Sequence, residues 1–286
     1  MRRIAIVVVL VSGCEWGGGT DATGNLVGPD AKRAMGDARK PDAAVDGPPD
    51  GATTQSTGHV LLTEVALGGA GAEFIELANP TTQAVALANY YLSDNGNYFK
   101  LPAGAAGVGL SQGDFIAQFP AAATLAPGAV ITVATGTAAA FNTAYGTMPT
   151  YSIADATMTV TASFGTPGLT DSGELVVLFS WDGTSPLVKD VDLVLAGAPT
   201  QINGLVSKSG YTQLNATYAT DAETIANQPT APAGGTSTKR IAAETGHETQ
   251  AGTGNGITGH DETSEATSAT WDTTFTAPTP GTIPAF

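Results

Sequence analysis

Three histidines and a scatter of closely spaced acids are the residues in this chain whose types and spacing suit chemistry. His247 and His260 lie in the similar phrases Gly246-His247-Glu248-Thr249 and Gly259-His260-Asp261-Glu262-Thr263. Imidazole nitrogens beside the carboxylates of Glu248, Asp261 and Glu262 form a donor set that zinc accepts. The plainer reading is a solvated Gly/Thr-rich loop. Asp94, Asn95 and Asn97 crowd one turn, and Asp190 and Asp192 alternate on one face of an apolar strand near Asp182. Hard cations take six to eight oxygens, so calcium is the ion that these residues would hold. Asp and Asn are also common turn formers in their own right. There is no His-Glu-x-x-His phrase, no Gly-x-Ser-x-Gly elbow and no phosphate-binding glycine loop between strand and helix. The remaining histidine, His59, stands alone near the start of the folded region. The expectation is a chain with no catalytic residues and no cofactor, calcium being the one left open.

The only cysteine, Cys14, follows a short apolar run. Met1-Arg2-Arg3 supplies a positive start and Ile4 to Val11 an apolar stretch, the pattern of an export signal. That stretch is far shorter than the roughly 20 residues that span a bilayer. Val11, Ser12, Gly13 and Cys14 resemble the lipobox of bacterial lipoproteins, a branched apolar residue and two small residues before the cysteine that receives lipid. The resemblance implies a signal peptide over 1–13, a lipidated Cys14 and attachment to the cell envelope. Glu15, where the family often has aspartate for inner-membrane retention, favours the outer membrane or cell surface. The alternative is an ordinary signal peptide with an incidental cysteine. Residues 14–57 contain Gly17-Gly18-Gly19, Pro48-Pro49 and Thr53-Thr54 and few large apolar side chains. Such a stretch buries too little to offset its ordering entropy, and a disordered linker is expected.

Charge narrows the partners. The chain carries 26 acids against 11 bases, and only Lys100, Lys189, Lys208, Lys239 and Arg240 among the bases follow residue 57. A surface so acidic repels phosphate backbones, so no direct nucleic-acid binding is expected.

The elements that must position these groups read as strands. From His59 onward short apolar runs alternate with turn residues, without a long helical period. Strands are expected over Val60–Leu67, Glu73–Ala78, Val85–Leu92, Tyr98–Leu101, Asp114–Gln118, Ala129–Ala134, Thr157–Phe164, Glu174–Trp181 and Leu187–Leu195. A short helix is expected over Thr137–Tyr145. Glu64 shares parity with Val60 and Leu62, so either it points inward or a bulge turns it out. Strands of this number and spacing indicate an all-β sandwich or barrel, here a single domain over 58–286.

The order of these phrases carries a second resemblance. Glu64, then Glu73-Phe74-Ile75-Glu76-Leu77-Ala78-Asn79-Pro80, then Asn89-Tyr90-Tyr91-Leu92-Ser93-Asp94, then Leu125-Ala126-Pro127-Gly128 are similar to a lamin-tail domain, an immunoglobulin-like β-sandwich. Late in the chain, Thr238-Lys239-Arg240 resembles that family's basic strand, and Pro278-Thr279-Pro280-Gly281 its closing phrase. The stretch 135–235 is longer than the family's compact domain, which leaves its strand register open. The resemblance implies a non-catalytic binding or structural module on a membrane anchor, meeting a protein or an envelope glycan. The other readings are a calcium-dependent adhesion module and an accessory domain of a secreted hydrolase or nuclease system.

Overall fold

The computed structural model describes residues 19–20, 26–27, 58–68, 72–171, 173–197, 205–223, 228, 230–231, 237–243, 254–272 and 277–282. The expected signal peptide, Cys14 and nearly all of the linker lie outside them, as do His247 and Glu248. The chain divides into two units, Met1–Ala52 and Thr53–Phe286. In the first, β1 (Gly19–Thr20) and β2 (Leu26–Val27) form a short antiparallel ladder.

The second unit holds β3 (Leu61–Ala66), β4 (Phe74–Ala78), β5 (Val85–Ala86), β6 (Tyr90–Ser93), β7 (Phe115–Gln118), β8 (Thr124–Leu125) and β9 (Val130–Ala134). After α1 (Ala138–Tyr145) come β10 (Tyr151–Ser152), β11 (Thr159–Ser163), β12 (Gly173–Ser180) and β13 (Lys189–Gly197). The chain continues with β14 (Thr212–Gln213), β15 (Ala216–Thr217), β16 (Thr238–Lys239) and α2 (Thr267–Thr270). Two five-stranded sheets, ordered β10-β9-β4-β3-β16 and β11-β7-β6-β12-β13, form the sandwich, and the small pairs β5-β8 and β14-β15 flank it. All ladders are antiparallel except β9 with β10. This is an all-β, immunoglobulin-like sandwich.

Alternation decides what lies between the sheets. Leu62, Val65, Ile75, Leu77 and Val133 face inward from one sheet, and Leu92, Phe115, Val176, Leu178 and Val194 from the other. The outer faces are covered too. Phe74 and Ala134 pack under Phe141 of α1, while Tyr91, Val177, Phe179, Leu193 and Leu195 pack under Tyr98, Phe99, Val206 and Tyr218. A strand buried on both faces needs a continuous apolar run, and Leu175-Val176-Val177-Leu178-Phe179 is one. Helix α1 is bounded by its own chemistry. The Thr137 hydroxyl accepts from Ala140 N at 3.2 Å, and Gly146, at φ 70°, ends the helix in the left-handed conformation.

Two expected elements differ. Tyr98–Leu101 is not a strand: Tyr98–Ala103 is a 3-10 helix. Tyr98 N bonds Asn95 O and Lys100 N bonds Asn97 O, so the segment satisfies its backbone locally. Its Tyr98, Phe99 and Leu101 then cap the sheet from outside. The expected Val85–Leu92 strand is broken by a turn, Tyr90 N to Leu87 O, that carries the chain from β5 into β6.

Of the two readings of Glu64 the bulge holds and the inward one does not, although the residue is not left to solvent. The β3–β4 register shifts between Leu62 and Glu64, so a bulge at Thr63 turns Glu64 out of the core. The segment 277–282 covers it there. Thr279 N donates to the Glu64 carboxylate at 3.1 Å and Gly281 N to Glu76 Oε2 at 2.5 Å. The two glutamates are cross-strand partners, and both are buried.

Candidate functional site: a histidine cluster beneath an open cleft

Strand β13 organises the site. Its register with β12 shifts between Leu178 and Phe179, and Val191 is the extra residue. Asp190 stays on the outer face while Val191 and Asp192 turn toward β3, so the two aspartates expected on one face part company. Asp190 accepts from Tyr98 Oη at 2.5 Å and from Lys208 Nζ at 2.5 Å, with Asp221 at 3.6 Å from the same ammonium. Burial alone pushes the Lys208 pKa down, but Asp190 and Asp221 more than offset it, and the pKa is raised.

Asp192 completes the backbone of β3. Strand β16 is too short to reach Leu62, whose N–H donates instead to Asp192 Oδ2 at 2.6 Å. The carbonyl of Leu62 accepts from Arg240 Nε at 2.8 Å. Arg240 Nη2 lies 3.0 and 2.9 Å from the two Asp192 oxygens, Nη1 bonds Glu265, and the guanidinium stacks 4.8 Å over the Trp271 ring. Each of the two aspartates is thus matched by a buried cation.

The Asx turn has its own partners. Asp94 Oδ1 accepts from Phe115 N at 2.8 Å, Asn95 Nδ2 donates to Asp114 Oδ2 at 2.6 Å, and Asn95 Oδ1 accepts from Asn97 N at 2.8 Å. Burial, with Glu174 and Asp114 nearby, pushes the Asp94 carboxyl well up. These residues pin the 94–97 turn to the start of β7.

Beside this framework the histidines meet. The loop 254–260 folds on itself through Gly254 N to Gly259 O and Gly256 N to His260 O, at 2.8 and 2.9 Å. It docks on β13 through Asp190 N to Asn255 O and Ile257 N to Asp190 O, at 3.0 and 2.7 Å. His260 is thereby set against His59, which immediately precedes Val60 and β3. The rings stack with centroids 4.6 Å apart and planes at 14°. Glu262, opening the 3-10 turn Glu262–Ser264, brings Oε1 to His260 Nε2, and Thr258 Oγ1 meets His260 Nδ1. Exposure is 6% for His59 and 2% each for His260 and Glu262.

Burial, reinforced by His59, lowers the His260 pKa to about 4, and burial also lowers that of His59. Both imidazoles are therefore neutral near pH 7, the form that offers a nitrogen lone pair. Ligand atoms of His59, His260 and Glu262 all lie within 4.8 Å of one another, the only such trio among the described residues. Asp261 is directed elsewhere, accepting from Thr263 N and Ala222 N at 2.9 Å each. The sequence offered His260 and Glu262 as candidates but not His59, because nothing local joins residue 59 to a loop at the far end of the chain.

On its other side the same loop walls an open cavity of about 640 Å³. The remaining walls are the turn Ser185–Lys189 and residues Thr217 to Ala219, and Lys189 is its one charged lining residue. Gly256 and Thr258 line the cavity and also touch His260, so cluster and cleft share a wall.

Comparison with known proteins bears on the sandwich. The family model of the Lamin Tail Domain matches residues 53–194, which takes in β3 to β13 up to Val194 and stops before β16 and the closing segment. A solved structure of a DUF4876 family protein from Bacteroides thetaiotaomicron VPI-5482 is 14% identical, covering 80% of this chain and 72% of that one, with a TM-score of 0.37. No curated protein matches the chain.

Proposed function

We propose that this protein is an exported, lipid-anchored display module whose lamin-tail-like sandwich binds a partner and carries out no reaction. The observation that carries this reading is the cleft. It is open, walled by two turns and a docked loop, and lined mainly by small neutral residues and backbone. Rigid sheets that present loops at one end are a common architecture for recognition. The membrane end of the proposal rests on Val11-Ser12-Gly13-Cys14. Among the described residues no helix is long and apolar enough to cross a membrane. The near-absence of positive charge at the cleft favours a protein or glycan partner over nucleic acid.

The test is site-directed photocrosslinking in the envelope fraction. A photoreactive residue at Thr217, on the cleft, is expected to capture a discrete partner, while one at the exposed Thr82, away from it, captures none. Equal labelling from both positions, or none from Thr217, would refute the cleft as the recognition surface. The same full-length protein is expected to show no turnover of peptides, glycans or nucleic acids.

A further inference from the structure

We infer that His59, His260 and Glu262 bind one transition-metal ion of the zinc class, clamping the first strand of the sandwich to the loop 254–262. Two imidazole nitrogens and one carboxylate oxygen are a set that zinc takes up, with a fourth position left for water. The donors now lie within 4.8 Å of one another. Ligand atoms around tetrahedral zinc, with bonds of about 2.0 to 2.2 Å, stand roughly 3.3 Å apart. To take up the ion, side-chain torsions would have to separate His260 Nε2 from Glu262 Oε1, which now touch, bring the wider-spaced donors together and splay the stacked rings apart.

Orientation is already supplied. Thr258 Oγ1 occupies His260 Nδ1, so Nε2 is the nitrogen turned toward Glu262. A partner on the second ring nitrogen is what fixes tautomer and ring plane in metal sites. Gly256 supplies the cradle, since a Cβ there would fall 2.6 Å from His260 Cδ2. The ligands also stand where an ion would matter mechanically. His59 leads into β3, and the loop carrying His260 is bonded to β13, so one ion would tie the two sheets together across the edge. With all three ligands buried, the ion's binding energy would be coupled to the folding of the segments that carry them.

The test uses untagged full-length protein stripped of metal, titrated with Zn²⁺ by calorimetry and with Co²⁺ by visible absorption. One equivalent is expected to bind, the cobalt form showing the intense bands of four-coordinate geometry. Zinc at a hundredfold excess over Kd should raise the melting temperature by about 5 to 10 °C. His260→Ala and Glu262→Gln are each expected to weaken binding by about 100-fold or more. Thr258→Val should weaken it by about 10-fold, read against its own metal-free melting temperature because the buried His260 Nδ1 loses its partner. His247→Ala should change nothing. Failure of the parent to bind stoichiometrically, or binding that survives His260→Ala and Glu262→Gln, would overturn the site. Because Glu262→Gln and Thr258→Val keep side-chain size, their metal-free melting separates lost ligation from lost folding.

Discussion

A guanidinium wholly out of water persists at Arg240 because every direction around it is answered: Asp192 and Glu265 in charge, Leu62 O in hydrogen bonding and Trp271 in stacking. Breaking one side of a buried ion pair leaves the other charge uncompensated, a loss of roughly 3 to 5 kcal/mol. Arg240→Leu should therefore destabilise the full chain by about that amount, read as a lower midpoint in guanidinium unfolding. A change within about 0.5 kcal/mol would mean that the network is energetically idle. Strand β16 around Arg240 was legible in Thr238-Lys239-Arg240, but its partners were not, since Asp192 and Glu265 are remote in sequence. Asp190 and Asp192 show the same limit: equal parity put them on one face, and a bulge at Val191, which alternation does not announce, separated them.

At the scale of elements, the outer face of the first sheet carries its acids under the closing segment. Burial raises the Glu76 pKa to about 7 and Glu64 adds to it by repulsion, against the bond from Gly281 N. Glu174 is likewise raised to about 7, chiefly by burial. A folded-state pKa above the unfolded value means that the folded state binds the proton more tightly. Stability is then full below the unfolded value near 4.5 and falls as pH rises toward 7, where the charge is forced into the fold. For Glu76 this amounts to roughly 3 kcal/mol. Glu76→Gln keeps an acceptor for Gly281 N, turns an amide N–H toward the Thr63 hydroxyl, which can accept it, and removes the charge. It should melt higher than the parent at pH 8 and alike at pH 4.5, and an identical offset at both pH values would contradict the assignment. Strands β3, β4, β9, β12 and β13 were legible to within about two residues, because alternation or an unbroken apolar run marks them. The 3-10 helix at Tyr98–Ala103 was not, because an apolar run of that length suits either a strand or a cap over a sheet, and only the Asn95 and Asn97 turn bonds decide it.

Across the whole molecule, two of the five bases after residue 57, Lys208 and Arg240, are spent inside the fold. Among residues 58–286 this leaves Lys100, Lys189 and Lys239 as the bases outside the buried interior. The sandwich class was legible from strand number and spacing. The meeting of His59 with His260 and the cleft that shares their loop were not, since both depend on how the segment 254–262 docks on β13. The proposed tether depends on Cys14, and it is tested by detergent-phase partitioning with acyl labelling of the parent and of Cys14→Ser. The parent should carry label and enter the detergent phase, and Cys14→Ser should carry none and stay in the aqueous phase or remain unprocessed. A Cys14→Ser protein that still partitions fully into detergent would contradict the lipid-anchored module.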